Sequence, residues 1–275
     1  MKMKTCLSIA GSDSSGGAGI QADLKTFTAN GVYGMTAITA LTAQNTLGVH
    51  AVSALTPDFV TQQIQAVFDD IRPDAVKIGM LANHDIVERV AQQLHHYQAT
   101  NIVLDPVMIA TSGDPLLNTN AVRKLIDKLA PNALIITPNV AELLALCHAQ
   151  DINTPDSEHI NHTQLAELTQ LLFNTLPLRH DGTKVAILSK GGHVDNSDAK
   201  DYLLSQNGDH WLTCSRIDTN NTHGTGCTLS SAICARLAQG DSLEIACSNA
   251  KKYLNNALKQ GLNLGSGNGP LNHLV

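Results

Sequence analysis

The sequence predicts an α/β fold in which helices cover both faces of a largely parallel sheet. Short, continuous apolar runs alternate with segments whose apolar residues recur at helical spacing, which is typical of strand–helix–strand units. The strand-like runs are apolar at nearly every position, as expected for parallel strands that are buried on both faces. No repeat, low-complexity tract or linker divides the 275 residues, so we expect a single domain over residues 1–275.

The predicted elements alternate along the chain. Strand-like runs come at residues 5–10, 35–43, 75–79, 101–105, 133–137 and 184–189. Helical spacing is found at residues 18–30, 57–71, 85–97, 120–129, 163–176, 225–239 and 242–261. A further helix begins near Asn139, and Gly31 follows the first helix, where glycine is common. Alternating runs around Asn207-Gly208 predict an antiparallel hairpin, and the polar stretch 148–162 is predicted to be a surface loop.

The composition indicates a globular protein and excludes several classes. Hydrophobic residues make up 43% of the chain and charged residues 15%, a balance that disordered chains do not have. The net charge of −6 provides no basic surface for nucleic acid and disfavours docking on anionic membranes. No apolar run reaches the roughly 18 residues that cross a bilayer, and the N-terminal run lacks the features of a signal peptide. We therefore expect a cytoplasmic protein without nucleic-acid or membrane partners.

The six cysteines and twelve histidines show no metal-binding spacing. There is no Cys-x-x-Cys, His-x-x-x-His or His-Glu-x-x-His motif, so a dedicated zinc site is disfavoured. Five cysteines are predicted to be small buried packing residues in a reducing compartment, namely Cys6, Cys147, Cys214, Cys234 and Cys247.

A glycine-rich loop at residues 11–19 follows the first predicted strand. Ligands of such sheets bind beyond the carboxyl ends of the strands, where this loop lies. It is neither a Walker A motif nor Gly-x-Gly-x-x-Gly, so it allows close backbone approach to a small ligand or is only a flexible turn. Asp23, in the next helix, faces the same crevice or is an ordinary solvated helix residue.

A second glycine-containing segment, Asn221-Thr222-His223-Gly224-Thr225-Gly226-Cys227-Thr228, leads into an apolar helix. Gly224 and Gly226 let consecutive backbone amides point into one concavity, and the helix start adds free N–H groups and a positive dipole end. Such a site binds a transferring phosphoryl group or an oxyanion. Cys227 sits at this helix start, so we expect a lowered thiol pKa and a role as base or nucleophile.

Charged and amide side chains follow other predicted strands. Asp105 ends one strand, while Asn139 and Glu142 are three residues apart and share one face of a helix's first turn. Carboxylates at a crevice can hold Mg²⁺ through water. Lys190 follows a strand and precedes two glycines, a suitable place for a cation beside phosphates. Each residue alone is better explained by a surface or capping role, but together they favour nucleotide-phosphate chemistry.

These motifs, taken in order, resemble the bacterial hydroxymethylpyrimidine/phosphomethylpyrimidine kinases of the ribokinase-like superfamily. The similarity extends over nearly the whole chain. It rests on residues 10–25, Thr42-Ala43-Gln44-Asn45-Thr46, 77–81, Asp105-Pro106-Val107-Met108, Ser112-Gly113-Asp114, Thr137-Pro138-Asn139 with Glu142, Lys190-Gly191-Gly192-His193 and 221–228.

The resemblance implies a three-layer α/β/α sandwich and two consecutive ATP-dependent phosphorylations in thiamine biosynthesis. The first makes the monophosphate of 4-amino-5-hydroxymethyl-2-methylpyrimidine, and the second makes its diphosphate. It also implies a homodimer, for which the hairpin at 199–218 is a candidate contact or lid.

The resemblance further implies a role for individual residues. The pyrimidine would contact Gly11, Asp23, Gln44, Met80 and Val107, with the Gln44 amide matching the aminopyrimidine edge. ATP would bind Asn139, Lys190 and the loop containing Gly224, Thr225, Gly226 and Cys227. Mg²⁺ would be held by Asp105 and Glu142 through waters.

Two features of the chain concern the reacting phosphate, and the second departs from the family pattern. Many sugar-kinase relatives have Asp where Cys227 stands, so Cys227 is expected to assist deprotonation of the substrate hydroxyl or to position its oxygen. Many relatives also have a basic residue immediately before Asn-Thr-His-Gly, where this chain has Asn220, so one phosphate-facing charge is missing.

Three alternative functions stay open. Relatives that share the Gly-Thr-Gly-Cys signature phosphorylate pyridoxal. A Cys-His hydrolase would use Cys227 with His223, although their i, i+4 spacing gives poor geometry. A nucleotide-binding regulator would bind ATP without turnover.

Overall fold

The computed structural model describes residues 2–108, 119–155, 159–192, 194 and 198–275. Over these residues the strands are β1 (Thr5–Asp13), β2 (Tyr33–Asn45), β3 (Gly48–Ala54), β4 (Ala75–Ile78), β5 (Ile102–Leu104), β6 (Ile135–Ile136), β7 (Ala186–Lys190), β8 (Asp198–Ser205) and β9 (Gly208–Ser215). The helices are α1 (Gly19–Ala29), α2 (Pro57–Asp70), α3 (His84–His96), α4 (Thr119–Lys124), α5 (Val140–Ala149), α6 (His162–Thr175), α7 (Thr225–Ala238) and α8 (Leu243–Lys259).

The strands form one sheet in the order β3-β2-β1-β4-β5-β6-β7-β8-β9. The pairs from β2 through β7 are parallel, whereas β3, β8 and β9 add antiparallel pairs at the two edges. Because the central strands run in one direction, their carboxyl ends meet at a single edge of the sheet. This edge holds the site described below.

Alternate residues of the central strands pack on opposite faces. Leu7 and Ile9 of β1 join an apolar cluster with residues of α2, α3, α5 and α6, while Cys6, immediately before Leu7, joins a second cluster with α1, α7 and α8. The same alternation separates Leu104 from Val103 in β5. Since helices bury both faces of the sheet, the predicted three-layer α/β/α fold is confirmed.

The structure differs from the sequence prediction in three places. The second strand extends to Asn45 and turns back as β3, which the sequence did not reveal because most β3 residues are exposed and form no continuous apolar run. The predicted helix at 120–129 changes after Lys124 into a π-helical turn, Leu125–Leu129. Cys214, expected to be buried, is partly exposed on the edge strand β9.

Among the described residues, no helix is both long and apolar enough to cross a membrane.

Candidate active site

A cavity of about 770 Å³ opens where the parallel strands end. Its walls include every predicted site residue except Asp23, namely Gly11, Gln44, Met80, Asp105, Val107, Asn139, Glu142, Lys190, Gly224, Thr225, Gly226 and Cys227. The topology therefore brings together residues that are up to 216 positions apart in the sequence (227 − 11).

One end of the cavity combines apolar groups with a single amide. Met80 follows β4 and packs so closely on Gly11 that a β-carbon at Gly11 would lie 2.5 Å from the Met80 Cε atom. Gln44, near the end of β2, has its backbone held by reciprocal hydrogen bonds of 2.9 Å with the Ser14 hydroxyl. Val107, after β5, also lines the cavity. This end can take a flat ring with a polar edge.

Asp23 does not lie on the cavity wall, which corrects its assignment as a pyrimidine contact. Its side chain is fully buried, and Lys77 Nζ lies 2.9 Å from both carboxylate oxygens. The hydroxyls of Ser8 and Ser231 donate to the same carboxylate at 2.5 and 2.7 Å. Asp23 therefore holds Lys77, which itself lines the cavity. The pairing of Lys77 with Asp23 was not predictable from the sequence, because the two residues are 54 positions apart and no local pattern joins them.

Lys190 links the two carboxylates predicted to hold Mg²⁺. Its Nζ lies 2.9 Å from Asp105 Oδ1 and 3.6 Å from Glu142 Oε2. Thr137 donates to Asp105 Oδ1 at 3.0 Å, and Ser230 donates to Asp105 Oδ2 at 3.2 Å. The site thus holds a cation between two buried acids.

The pKa values of Asp105 and Glu142 shift in opposite directions. Burial raises the pKa of Asp105, but the nearby Lys190 and Lys77 outweigh it and bring the pKa below its ordinary value. Burial raises the pKa of Glu142 to about 7, because the opposing effect of Lys190 is weaker there and the Asp105 charge adds to the rise. Glu142 is therefore the carboxylate of this pair that takes up a proton near neutral pH.

The position of Asn139 and Glu142 comes from a helix cap. Asn139 is the N-cap of α5, and its side chain accepts a hydrogen bond of 2.9 Å from the Glu142 amide. The Glu142 carboxylate accepts in turn from the Asn139 amide at 2.8 Å. This capping box fixes Glu142 at the cavity. Asn139 thus has the N-cap role that its residue type predicts, and it also lines the cavity.

Asp105 and Glu142 fit a magnesium ion held through waters. The described residues contain no group of three or more His, Cys, Asp or Glu that could hold a metal directly. Each carboxylate has about four acceptor sites, and the hydrogen bonds above use only part of them. Mg²⁺ typically keeps several waters and needs only one or two carboxylates.

The predicted anion site lies at the start of α7. Gly224 caps the helix with φ of 84°, a left-handed conformation that favours glycine. A β-carbon there would lie 1.9 Å from the carbonyl oxygen of Gly17, so the two glycine-rich loops touch through their backbones. A β-carbon at Gly226 would lie 3.4 Å from Lys190 Nζ. The helix start therefore adjoins the Lys190 ammonium, while the Thr225 hydroxyl donates to the Thr222 carbonyl.

The expected lowering of the Cys227 pKa is wrong. Cys227 lines the cavity, but burial raises the pKa of its thiol to about 11. Lys77 and the Gly19 amide act in the lowering direction, and the charges of Asp23 and Asp105 act against them. The dipole of a helix start is thus outweighed by burial among carboxylates, and the thiol is protonated at neutral pH.

His223 does not serve Cys227 as a base in this structure. It is buried, and its Nε2 atom lies 2.8 Å from Asp13 Oδ2. The hydrolase alternative therefore lacks the nucleophile–base contact that it needs. Asn220, which stands where relatives have a basic residue, is exposed, and its carbonyl accepts a hydrogen bond of 2.9 Å from Gly269.

The far end of the cavity was not predicted from the sequence. It is lined by Ile217 and Thr219 after β9 and by Leu254, Asn255 and Leu258 of α8. Asp201 and Lys251 pair at 2.6 Å beside it, and Asp201 also accepts from the Gly191 amide at 3.1 Å. The regular apolar face of α8 was the available signal, but it predicts packing as readily as ligand contact.

Two parts of the family motifs, Ser112-Gly113-Asp114 and His193, lie outside the described residues.

Comparison with known proteins identifies the family of the chain. The family model described as phosphomethylpyrimidine kinase matches residues 13–272. The hydroxymethylpyrimidine/phosphomethylpyrimidine kinase of Escherichia coli K12 is 47% identical over 275 residues, covering 99% of this chain and 98% of that protein.

Solved structures of two kinds resemble the fold. The phosphomethylpyrimidine kinase of Clostridium difficile 630 has a TM-score of 0.76 and 41% identity, covering 92% of this chain and 99% of its own. The pyridoxal kinase of Staphylococcus aureus, solved with AMP-PCP and pyridoxal, has a TM-score of 0.86 and 31% identity, covering 100% and 94%. With a family model that spans most of its length and relatives that match it end to end, this chain belongs to the phosphomethylpyrimidine kinase family.

Proposed function

We propose that this kinase transfers the γ-phosphoryl group of ATP to 4-amino-5-hydroxymethyl-2-methylpyrimidine and then phosphorylates the resulting monophosphate. The observation that carries this proposal is the position of the α7 start beside Lys190 and Asp105, in a cavity that is also lined by the apolar side chains of Met80 and Val107. Amides at a helix start and an adjacent ammonium stabilise the negative charge of a migrating phosphoryl group.

Each part of the cavity has a distinct task in this proposal. Gly11, Met80 and Val107 bind the ring, and Gln44 binds its polar edge. Lys190 and the amides of residues 224–227 bind the transferring phosphate. Cys227 holds the hydroxymethyl oxygen or takes its proton, and its high thiol pKa favours the holding role in the resting enzyme. Phosphoryl transfer depends mainly on positioning and electrostatics, so a weak base is compatible with catalysis.

Asp105 and Glu142 would hold Mg²⁺ through waters. When bound there, the ion would neutralise phosphate charge and help align the nucleotide. Ionised Glu142 favours this binding, and its pKa of about 7 makes the binding sensitive to acid.

Pyridoxal is the second candidate substrate, because the S. aureus structure that resembles this fold is that of a pyridoxal kinase. The hydroxymethylpyrimidine is preferred because the relatives named for it match the chain at higher identity.

The experiment is an ATP assay of the purified protein with the hydroxymethylpyrimidine, its monophosphate and pyridoxal side by side. We expect turnover of both pyrimidine species at rates well above that of pyridoxal. Dominant pyridoxal turnover refutes the substrate assignment, and ATP binding without product with any substrate supports the regulator alternative.

We also propose a cytoplasmic homodimer. The sheet ends in two edge strands, β3 and β9, and Leu41 and Val52 of the β2–β3 hairpin are exposed apolar residues. Unpaired strand edges and exposed apolar side chains favour association with a second copy. Light scattering coupled to size exclusion tests this, and a mass near the 29.2 kDa of one chain at micromolar concentration refutes it.

A further inference from the structure

Asp13 connects the two glycine-rich loops of the cavity. It is the last residue of β1, and its carboxylate is almost fully buried. Oδ1 accepts hydrogen bonds of 2.8 Å from both the amide and the hydroxyl of Ser15. Oδ2 accepts from the amides of Gly17 and Ala18, at 3.0 and 2.8 Å, and from the His223 ring at 2.8 Å. One carboxylate therefore organises the first loop and holds the second.

The carboxylate is a fixed negative charge. Burial raises its pKa, but the hydrogen bonds from His223, Ser15 and Ala18 together hold the pKa far below the ordinary value for aspartate. Hydrogen bonds to the charged form favour that form. Asp13 therefore stays ionised at any pH at which a kinase works, and His223 Nε2 carries a proton toward it.

His223 is held on its other side by the C-terminal segment. Its backbone amide donates a hydrogen bond of 3.0 Å to the Gly269 carbonyl. A β-carbon at Gly17 would lie 2.2 Å from the His223 ring, so the ring packs directly on the first loop. Gly224, the next residue, touches the Gly17 carbonyl in the same way. The approach of the two loops therefore depends on the position of the His223 ring.

We propose that Asp13 and His223 form a positioning pair that sets the anion-binding start of α7 against the loop at residues 11–19. The inference rests on the proposed function, because it assigns the pair to the phosphoryl-transfer step. Neither residue is a catalytic residue. Asp13 lines the cavity, but both of its carboxylate oxygens accept hydrogen bonds from within the protein, and His223 is not among the lining residues. A shift of the α7 amides by about 1 Å is enough to cost about 10²-fold in rate.

The test measures kcat and KM for the better of the pyrimidine and pyridoxal substrates. Asp13→Asn and His223→Ala are each expected to lower kcat by about 10²-fold, while KM for the ring substrate changes by less than about threefold. The double variant is expected to lose no more than the worse single variant, because the two residues act as one unit.

Two variants, His223→Gln and His223→Asn, separate the effect of the hydrogen bond to Asp13 from the effect of side-chain packing. His223→Gln places an N–H donor near the original Nε2 position and is expected to stay within about threefold of wild-type kcat. His223→Asn places its donor nearer to Nδ1 and is expected to behave like His223→Ala. This comparison uses near-isosteric side chains, so it remains informative if Asp13→Asn does not fold.

The control is Asp241→Asn, at a partly buried carboxylate that accepts from Arg236 at 2.7 Å and Asn249 at 3.2 Å away from the cavity. It is expected to lower the melting temperature without changing kcat. A kcat of folded His223→Asn equal to that of His223→Gln overturns the inference, as do additive losses in the double variant. A wild-type enzyme that turns over pyridoxal but not the pyrimidine refutes only the proposed substrate, since the pair is then tested on pyridoxal.

Discussion

The Lys190 ammonium lies 2.9 Å from the Asp105 carboxylate and 3.6 Å from the Glu142 carboxylate. Parallel strands bring β5 and β7 to the same edge, so residues 85 positions apart meet there. Both carboxylates are buried, and their attraction raises the pKa of Lys190 above its ordinary value although burial acts to lower it. A cation held in this way is ready to bind a phosphate without reorganising.

Replacement of Lys190 tests this role. Lys190→Met is expected to lower kcat/KM for ATP by about 10²–10³-fold, because in the proposed function it removes the positive charge that binds the transferring phosphate. Initial rates at limiting ATP measure the effect. Lys124→Met is the control, since Lys124 pairs with Glu88 at 3.1 Å on the surface and should leave kcat/KM unchanged. A Lys190→Met enzyme within about threefold of wild type contradicts the assignment.

Gly224 has a matched partner at the other end of the same helix. Gly224 and Gly240 both have positive φ, 84° and 97°, but a β-carbon at Gly240 would meet no atom within 4 Å. Gly240→Ala should therefore cost only the strain of the left-handed conformation, about 1–2 kcal/mol. Gly224→Ala adds a collision with the Gly17 carbonyl, so it should lower both the unfolding free energy and kcat further. Chemical denaturation and turnover assays of the two variants measure the unfolding free energy and kcat. Equal losses in Gly224→Ala and Gly240→Ala would show that the contact of Gly224 with Gly17 is unimportant.

Cys227 gives a prediction with a defined pH dependence. Because its pKa is raised to about 11, the thiolate fraction increases about tenfold with each pH unit below that value. If Cys227 takes the substrate proton, kcat rises with pH between 7 and 9, and Cys227→Ala abolishes this rise and lowers kcat by about 10²-fold. Cys214→Ala, on the edge strand, should match wild type.

The outcome separates the two roles of Cys227. If kcat of the wild-type enzyme does not change with pH and Cys227→Ala lowers kcat, Cys227 positions the substrate oxygen. If kcat of Cys227→Ala is within about threefold of wild type, Cys227 has no role in the chemistry.

The sequence predicted where the site lies better than how its charges are arranged. Asp105, Glu142 and Lys190 were predictable because each follows a strand, and strand ends converge whatever the side-chain details. The direction of the Cys227 pKa was not predictable, because burial and the neighbouring carboxylates depend on the tertiary structure. Asp13 lies within the first glycine-rich loop of the sequence, but its pairing with His223 was not predictable, because the two residues are 210 positions apart and no local pattern joins them.

Asp23 and Lys77 form a fully buried ion pair, which leads to a last prediction about stability. Lys77→Met is expected to lower the unfolding free energy by about 3–5 kcal/mol, because the Asp23 charge would remain buried without its cation. The double variant Asp23→Asn/Lys77→Met should recover part of this loss, since the Ser8 and Ser231 hydroxyls can still bond a neutral amide. The control is a double-mutant cycle on the exposed Lys4–Asp74 pair, whose charged atoms are 2.8 Å apart. Its coupling free energy should be below about 1 kcal/mol. Chemical denaturation of the single and double variants of each pair measures the two coupling free energies. A coupling of Asp23 with Lys77 no larger than that of the surface pair would show that burial does not make Asp23 dependent on Lys77.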